Sequence, residues 1–303
     1  HAMTMGADVV VSVHNSLHHA RPCLTSVLEN TEEPFHLYVV DDGSDAYTQS
    51  QLRLLLAGHQ DKATLLCNGE QLGYLKSVNR GVQEGSQPCV VLLNSDVVVG
   101  PGWLGRLLWP FAEDEKVGII NPVSNWANWT RIPFGPGFTI NSCADFIAEQ
   151  GGRRYRDIYN ASGFCFAARR SLFDDLGLFD EIYGVGYWEE TDFCLKAISR
   201  GYRVVVNLGC FVYHFGWGSF QRNGRNEHME RNRRICMARW GNEFARFRKQ
   251  WQEEQPLAPL EEAIKNRERS LRGGGKFLQQ ERERARRFGL GVTLRALLNA
   301  GVR

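Results

Sequence analysis

Three polar clusters close three apolar runs in the first hundred residues. His14-Asn15 follows Asp8–Val13, Asp41-Asp42 follows Phe35–Val40, and Asn94-Ser95-Asp96 follows Pro88–Leu93. A fourth cluster, Glu189-Glu190-Thr191-Asp192, puts three carboxylates into four consecutive residues, beside Trp188 and the Gly-rich stretch Gly184–Trp188. Carboxylates accept hydrogen bonds and protons and, as hard oxygen donors, hold divalent cations. Spacing alone does not say which of these each acid does. Asp, Asn and Gly after a strand also make turns, and acidic residues in a first helical turn suit the helix dipole. Taken singly, each cluster after a strand reads as a turn. Taken together, in register, they read as a site.

The elements that must position these residues alternate. Strand candidates at Asp8–Val13, Phe35–Val40, Ala63–Cys67 and Pro88–Leu93 are separated by helical spacing over Ala20–Asn30, Gln49–Ala57 and Leu75–Glu84. This alternation indicates βαβ units and a parallel sheet. Unbroken apolar runs indicate that both sheet faces are covered. In such a sheet ligands bind beyond the carboxyl ends of the strands, where the three clusters would meet. Further along, Ser124–Gly137 reads as an irregular loop, Asn160–Ala168 as a strand and Ser171–Leu176 as a short helix. Glu189–Arg200 has helical spacing, and Tyr202–Val206 and Cys210–His214 are the last strand candidates.

The chain has 303 residues, 43% hydrophobic and 23% charged, enough for a large core and too polar for a membrane-embedded or disordered protein. No apolar run approaches the roughly 18–20 residues that span a bilayer. His1–Met5 read as a remnant of cloning, and residues 1–6 as a start outside the fold. The eight cysteines lack paired spacing and several sit in apolar runs, as buried thiols do in a reducing cytoplasm. The net charge of +2 hides an asymmetry, because residues 221–303 carry 20 Lys+Arg against 10 Asp+Glu. Within that basic stretch Arg222–Trp251, Pro259–Leu271 and Phe277–Leu298 read as helices, broken at Gln255-Pro256 and at Gly273-Gly274-Gly275.

Residues 7–220 resemble the glycosyltransferases of family 2 on the GT-A fold. The resemblance rests on several short motifs in the family's order: the opening strand with His14-Asn15, Asp41-Asp42-Gly43-Ser44, the helix start at Gly73–Asn79, Asn94-Ser95-Asp96 in the place of a D-x-D motif, Gly163-Phe164, Glu189–Asp192 and the late His214. The closest flavour is that of bacterial polysaccharide, rhamnosyltransferase-like enzymes. The implied architecture is an α/β catalytic domain over 7–220, its mainly parallel sheet flanked by helices, with a basic helical extension over 221–303.

The resemblance implies a role for each motif. Val13, His14 and Asn15 would line a base pocket, and Asp42 would accept a hydrogen bond from the base. Gly73, Lys76, Asn94, Ser95 and Asp96 would serve the donor's diphosphate, with Lys76 also readable as a solvated surface lysine. Asp96 and His214 would hold Mn²⁺ or Mg²⁺. Asn94 departs from the family's D-x-D by an amide in place of the first acid. Glu190 would be the general base of an inverting transfer, one methylene longer than the usual Asp. Glu189 would face donor hydroxyls, and Asp192 would brace the helix start or orient the base. Gly163 and Trp188 would contact sugar, and Trp126, Trp129 and Trp217 read rather as packing.

The implied partners are a nucleoside-diphosphate sugar, UDP- or dTDP-linked in preference, and a saccharide or lipid-linked acceptor. The implied location is cytoplasmic. The basic tail reads first as packing helices and second as a peripheral contact with the membrane's inner face, with no nucleic acid expected. Two rivals stand beside this reading. A nucleotidyltransferase would need a Gly-rich basic segment after the first strand, which Ser12–Asn15 does not supply. A non-catalytic nucleotide-sugar-binding scaffold would have no use for the acids at 189–192.

Overall fold

The computed structural model describes residues 5–135, 138–216 and 225–273. Trp217, Arg222, the glycines at 274 and 275 and the expected helix Phe277–Leu298 lie outside the described residues.

The first half is built from β1 (Ala7–Val13), α1 (Leu17–Asn30), β2 (Phe35–Asp41), α2 (Ala46–Leu56), β3 (Ala63–Cys67), α3 (Tyr74–Glu84) and β4 (Cys89–Leu93). These match the sequence expectations to within a few residues. Strands β3, β2, β1 and β4 lie side by side and parallel. Alternate side chains go to opposite faces, as the pleat requires. Val10, Val40, Val90 and Leu92 pack under α3 with its Leu75, Val78 and Val82. Val9, Val11, Leu37, Val39 and Val91 pack instead against α1 and α2. Two covered faces explain the unbroken apolar runs, since each fully buried Val or Leu contributes about 1.5–3 kcal/mol.

The second half extends the sheet in mixed sense. It comprises β5 (Val97–Val99), α4 (Trp103–Glu113), β6 (Val117–Val123), α5 (Ile140–Gly151), β7 (Tyr155–Ile158), β8 (Cys165–Arg169), α6 (Arg170–Leu176), α7 (Glu189–Ser199) and β9 (Arg203–His214). The strand order is β3-β2-β1-β4-β8-β6-β9-β5, with β7 also on β9. β8 runs antiparallel between β4 and β6, and β6 is parallel to β9. The sheet is therefore parallel in its first half and mixed in its second, flanked by helices on both faces.

Two strand expectations change. Within Asn160–Ala168 the strand begins only at Cys165, as β8, and Asn160–Phe164 is irregular. The two last strands are one, because Asn207-Leu208-Gly209 forms an irregularity in the register against β6 rather than a turn. Asn207 Oδ1 accepts from the Gly209 N–H at 2.9 Å and so holds that irregularity. At the start of the chain, Met5 packs against the core and the Gly6 carbonyl accepts from the Cys89 N–H, so both belong to the fold.

Helices α8 (Arg225–Glu254) and α9 (Ala258–Gly273) follow. Cys236 of α8 and Leu260 and Ile264 of α9 are buried in the same core as α3 and α7. α8 is kinked at Trp240, whose φ of −133° is non-helical.

Candidate active site

Register brings the three clusters to one edge. Val13 of β1 pairs with Asp41 of β2, and Val11 pairs with Leu93 of β4, so the chain leaves all three strands on the same side. Asp42 is 2% exposed. Its carboxylate accepts from Asn68 Nδ2 (3.0 Å) and from the backbone N–H groups of Leu72 (2.8 Å) and Gly73 (2.9 Å). It thereby fixes the loop that starts α3. Gly73 has a φ of +92° there, which a side chain would strain. The Asp42 carbonyl can only accept, so His14 Nδ1, 2.8 Å away, carries the proton and donates to it.

The segment expected to line a base pocket is divided. His14 and Ser12 line the cavity, whereas Val13 is fully buried in the opposite core layer with α1. Asn15, at a φ of +52°, ties its loop to the next through Ser44 Oγ and the Asp45 N–H. Lys76 fits the solvated-lysine reading rather than the diphosphate one. It is exposed on α3 and does not line the cavity.

Asn94, Ser95 and Asp96 all line the cavity. Asp96 is 4% exposed, with Oδ1 3.2 Å from His214 Nε2 and Oδ2 buried without a protein partner. His214 Nδ1 lies 2.7 Å from the Trp126 carbonyl and must donate to it. In a neutral imidazole this turns the Nε2 lone pair towards a carboxylate, a pairing that needs a cation or a proton between the two. Stacking on Phe164, at 5.2 Å between centroids, holds the ring in place. Burial opposes charge on Asp96, yet His214 in its protonated form, through its hydrogen bond and charge and with help from His19, holds the Asp96 carboxyl below the usual range. Among the described residues no group of three His, Cys, Asp or Glu side chains could hold a metal, so an ion at Asp96 and His214 would draw its other ligands from elsewhere.

The acids of α7 divide by helix geometry. Glu189 is 2% exposed, with Oε2 buried and unpartnered. Burial pushes both the Glu189 and Glu190 carboxyls up, and the charge of Glu190 raises Glu189 further. The Gly163 N–H and the Glu189 side chain oppose the rise at Glu190. Two buried carboxyls this close disfavour a double negative charge, so the pair favours sharing one proton. Gly163 is where Glu190 needs it, because a Cβ there would meet Glu190 Oε1 at 2.2 Å.

Asp192 does not share this environment. Two residues beyond Glu190, it points away from the cavity, and its oxygens are taken by Trp240 Nε1 (2.9 Å), Arg239 (3.1 Å) and Lys196 (3.0 Å). Its expected bracing role fits, at α8 rather than at the helix start, and a catalytic one does not. Trp188 lines the cavity in a left-handed conformation, φ +77°, next to Tyr187 at +73°. Asn232 of α8, 1% exposed, donates to the carbonyls of Tyr183, Gly186 and Tyr187 and clamps this strained loop.

These residues surround one cavity of about 1300 Å³. Sequence reasoning missed one of its walls. A face of α8 lines it through residues such as Arg233, Met237, Phe244, Arg248 and Trp251. Their spacing reads as an amphipathic helix, and nothing local says what the helix faces. Trp129, expected to be packing, lines the cavity while packing edge-on against Phe244 and Trp251. Buried polar atoms without a protein partner concentrate here: Tyr74 Oη, Asp96 Oδ2, Asn160 Oδ1, Ser162 Oγ, Glu189 Oε2 and Trp251 Nε1. Such atoms are costly unless something polar meets them, which marks the cavity as a binding site.

The sequence pattern described as Glycosyl transferase family 2 matches residues 8–177. The uncharacterized protein y4gI of Sinorhizobium fredii is 23% identical over 219 residues, covering 68% of this chain and 24% of that protein. The N-acetylglucosaminyl-diphospho-decaprenol L-rhamnosyltransferase of Mycobacterium tuberculosis is 26% identical over 241 residues, covering 70% of this chain and 76% of that protein. The crystal structure of GalNAc-T7 with UDP, GalNAc and Mn²⁺ superposes with a TM-score of 0.64 at 17% identity. That superposition covers 87% of this chain and 55% of the other, and is a likeness of fold. The chain thus spans about a quarter of y4gI and about half of the GalNAc-T7 chain.

Proposed function

The chain belongs to glycosyl transferase family 2 and is a glycosyltransferase of GT-A fold, and from that premise we propose that it moves a single sugar from a nucleoside-diphosphate sugar to an acceptor hydroxyl, with inversion at the anomeric carbon. The observation that carries this reading is the meeting of two different acidic centres on one cavity: Asp96 with His214, and the Glu189–Glu190 pair. One is suited to a cation, the other to a proton.

Asp96 and His214 would hold Mn²⁺ or Mg²⁺. The unpartnered Asp96 Oδ2 and the lone pair of His214 Nε2 fit such an ion, whose remaining ligands would be phosphate and water oxygens. When bound, the ion supplies Lewis-acid stabilisation of charge on the departing diphosphate. Mn²⁺ accompanies UDP in the GalNAc-T7 structure, which supports the same class of donor here.

Glu190 takes the proton from the acceptor hydroxyl as its oxygen bonds to the anomeric carbon. The bond from that carbon to the diphosphate oxygen breaks in the same step, and the electron pair leaves with the nucleoside diphosphate. Protonated Glu189 keeps a second negative charge out of the site and can donate a hydrogen bond to a donor hydroxyl. Asp42 has an acceptor position left for a base N–H after its three protein donors, and the His14 ring lies beside it. UDP and dTDP are the favoured nucleotides. The acceptor is a saccharide or a lipid-linked saccharide, as the name of the mycobacterial relative suggests, which suits a cytoplasmic enzyme at a membrane's inner face. No helix among the described residues is long and apolar enough to cross a membrane.

The test is release of nucleoside diphosphate from UDP-, dTDP- and GDP-sugars with Mn²⁺, Mg²⁺ or chelator, followed by the anomeric configuration of the product. Metal-dependent release with inverted product is expected. A product of retained configuration contradicts a single displacement with Glu190 as base.

A further inference from the structure

The cavity's charge is divided between its walls. Asp42, Asp96, Glu189 and Glu190 stand on the sheet edge and α7, whereas Arg233, Arg248 and Lys249 all stand on α8. Two of these cations have partners on their own helix. Arg233 is paired with Glu230 at 2.9 Å, and Lys249 has a loose, exposed contact of 3.7 Å with Glu253. Arg248 has no ion pair among the described residues.

Beyond the kink at Trp240, Gly241, Phe244, Arg248 and Trp251 recur at steps of three and four, the repeat of a single helix face. Trp129 packs edge-on against Phe244 and Trp251, and Trp188 lies 5.5 Å from Phe244, so the cavity has an aromatic wall. Exposed Arg248 lines the same cavity from between Phe244 and Trp251 in the helix. Trp251 adds an independent sign. Its indole Nε1–H is buried at the cavity without an acceptor, although a buried indole normally finds one. A flat apolar surface, an indole donor and a guanidinium side by side suit a ligand that combines a sugar face, an oxygen acceptor and an anionic group.

We propose that this face of α8 is the acceptor subsite and that it takes a saccharide carrying a phosphate ester. Aromatic faces meet the sugar ring, Trp251 Nε1–H donates to one of its oxygens, and Arg248 pairs with the phosphate. The inference rests on the transferase reading above. The phosphate can come from a lipid-linked glycosyl diphosphate or from a water-soluble sugar phosphate, and the chemistry recognised is the same.

The experiment is a binding titration read by tryptophan fluorescence, since Trp129, Trp188 and Trp251 all line the cavity. The protein is first saturated with Mn²⁺ and whichever of UDP, dTDP or GDP raises its melting temperature, so that phosphate cannot occupy the donor site. Matched pairs of the 1-phosphates and methyl glycosides of N-acetylglucosamine, glucose, galactose and mannose are then titrated, along with a short-chain polyprenyl diphosphate of N-acetylglucosamine. At least one phosphorylated sugar is expected to bind about tenfold or more tighter than its methyl glycoside, as a charge-assisted contact implies. Arg248→Gln should abolish that preference, and Trp251→Phe should weaken both members of the pair.

A preference shared by soluble and lipid-borne esters points to a soluble sugar phosphate as a sufficient ligand. A preference confined to the polyprenyl diphosphate places the source in a membrane. Both sustain the proposal. Equal binding of both members of every pair, or a preference that survives Arg248→Gln, overturns it. If no nucleotide binds at all, the transferase reading itself has failed, which the same melting data distinguish.

Discussion

Replacing Glu190 by Gln tests the role of the α7 acids with little structural disturbance. Gln has the same length, and its oxygen can still accept from the Gly163 N–H that faces Glu190. What it loses is the capacity to take a proton. A positioned general base is worth about 10²–10⁴ in rate, or about 3–5 kcal/mol of barrier, so kcat should fall by that factor while nucleotide binding stays within about twofold. The pH profile gives a second signature. Burial raises the Glu190 carboxyl above the ordinary glutamate range, and only the ionised form is a base. The acid limb of kcat should therefore lie at higher pH than a free glutamate would set, and it should vanish in the variant. Steady-state transfer across pH, with nucleotide melting shifts on the same samples, reads both effects. Turnover of the variant within tenfold of the parent at the parent's best pH would refute Glu190 as the base.

Three further predictions follow from the same geometry. Glu189→Gln should raise the melting temperature at neutral pH by about 2–5 °C. The fold holds a proton on Glu189 that the unfolded chain releases, so the parent loses stability as pH rises from about 4 upward, and the gain should vanish near that pH. Gly163→Ala should cut kcat by about tenfold or more with a melting temperature within a few degrees of the parent, because the new Cβ collides only with the flexible end of Glu190. Asn232→Ala should cost about 2–4 kcal/mol in a denaturant titration by orphaning three carbonyls, and should lower kcat by loosening the loop before Glu189.

The parallel half of the sheet was readable because burial on both faces writes itself as unbroken apolar runs, each closed by a polar cluster that survives as the site edge. The second half was harder. β5 is only three valines directly after Asp96, and β6 contains Asn121 and Pro122, and neither segment drew a strand expectation. Asn207-Leu208-Gly209 has the composition of a turn but bulges within β9. Asp42, Asp96, His214 and Glu190, singled out from their motifs, do meet on one cavity. The site was illegible where only tertiary contact decides. Asp192 looks equivalent to Glu190 until the helix turns it about 200° away, onto Trp240. Val13 shares a motif with His14, yet the pleat sends it into the opposite core. The wall supplied by α8 faces residues far earlier in the chain, from Trp188 back to Trp129, which no local spacing reports.

On the proposed function, Asp96 and His214 couple a divalent ion to a nucleoside diphosphate in this cavity. Melting temperatures with UDP, dTDP and GDP, each with Mn²⁺, Mg²⁺ or chelator, measure it directly in the parent and in Asp96→Asn. A nucleotide at a hundredfold excess over its Kd adds about 2.7 kcal/mol, a shift of about 5 °C for a chain of this size. Such a shift is expected for one nucleotide class with metal, with its loss in chelator and its loss in Asp96→Asn at an otherwise unchanged melting temperature. A shift of equal size in chelator, or one that survives in Asp96→Asn, would contradict it.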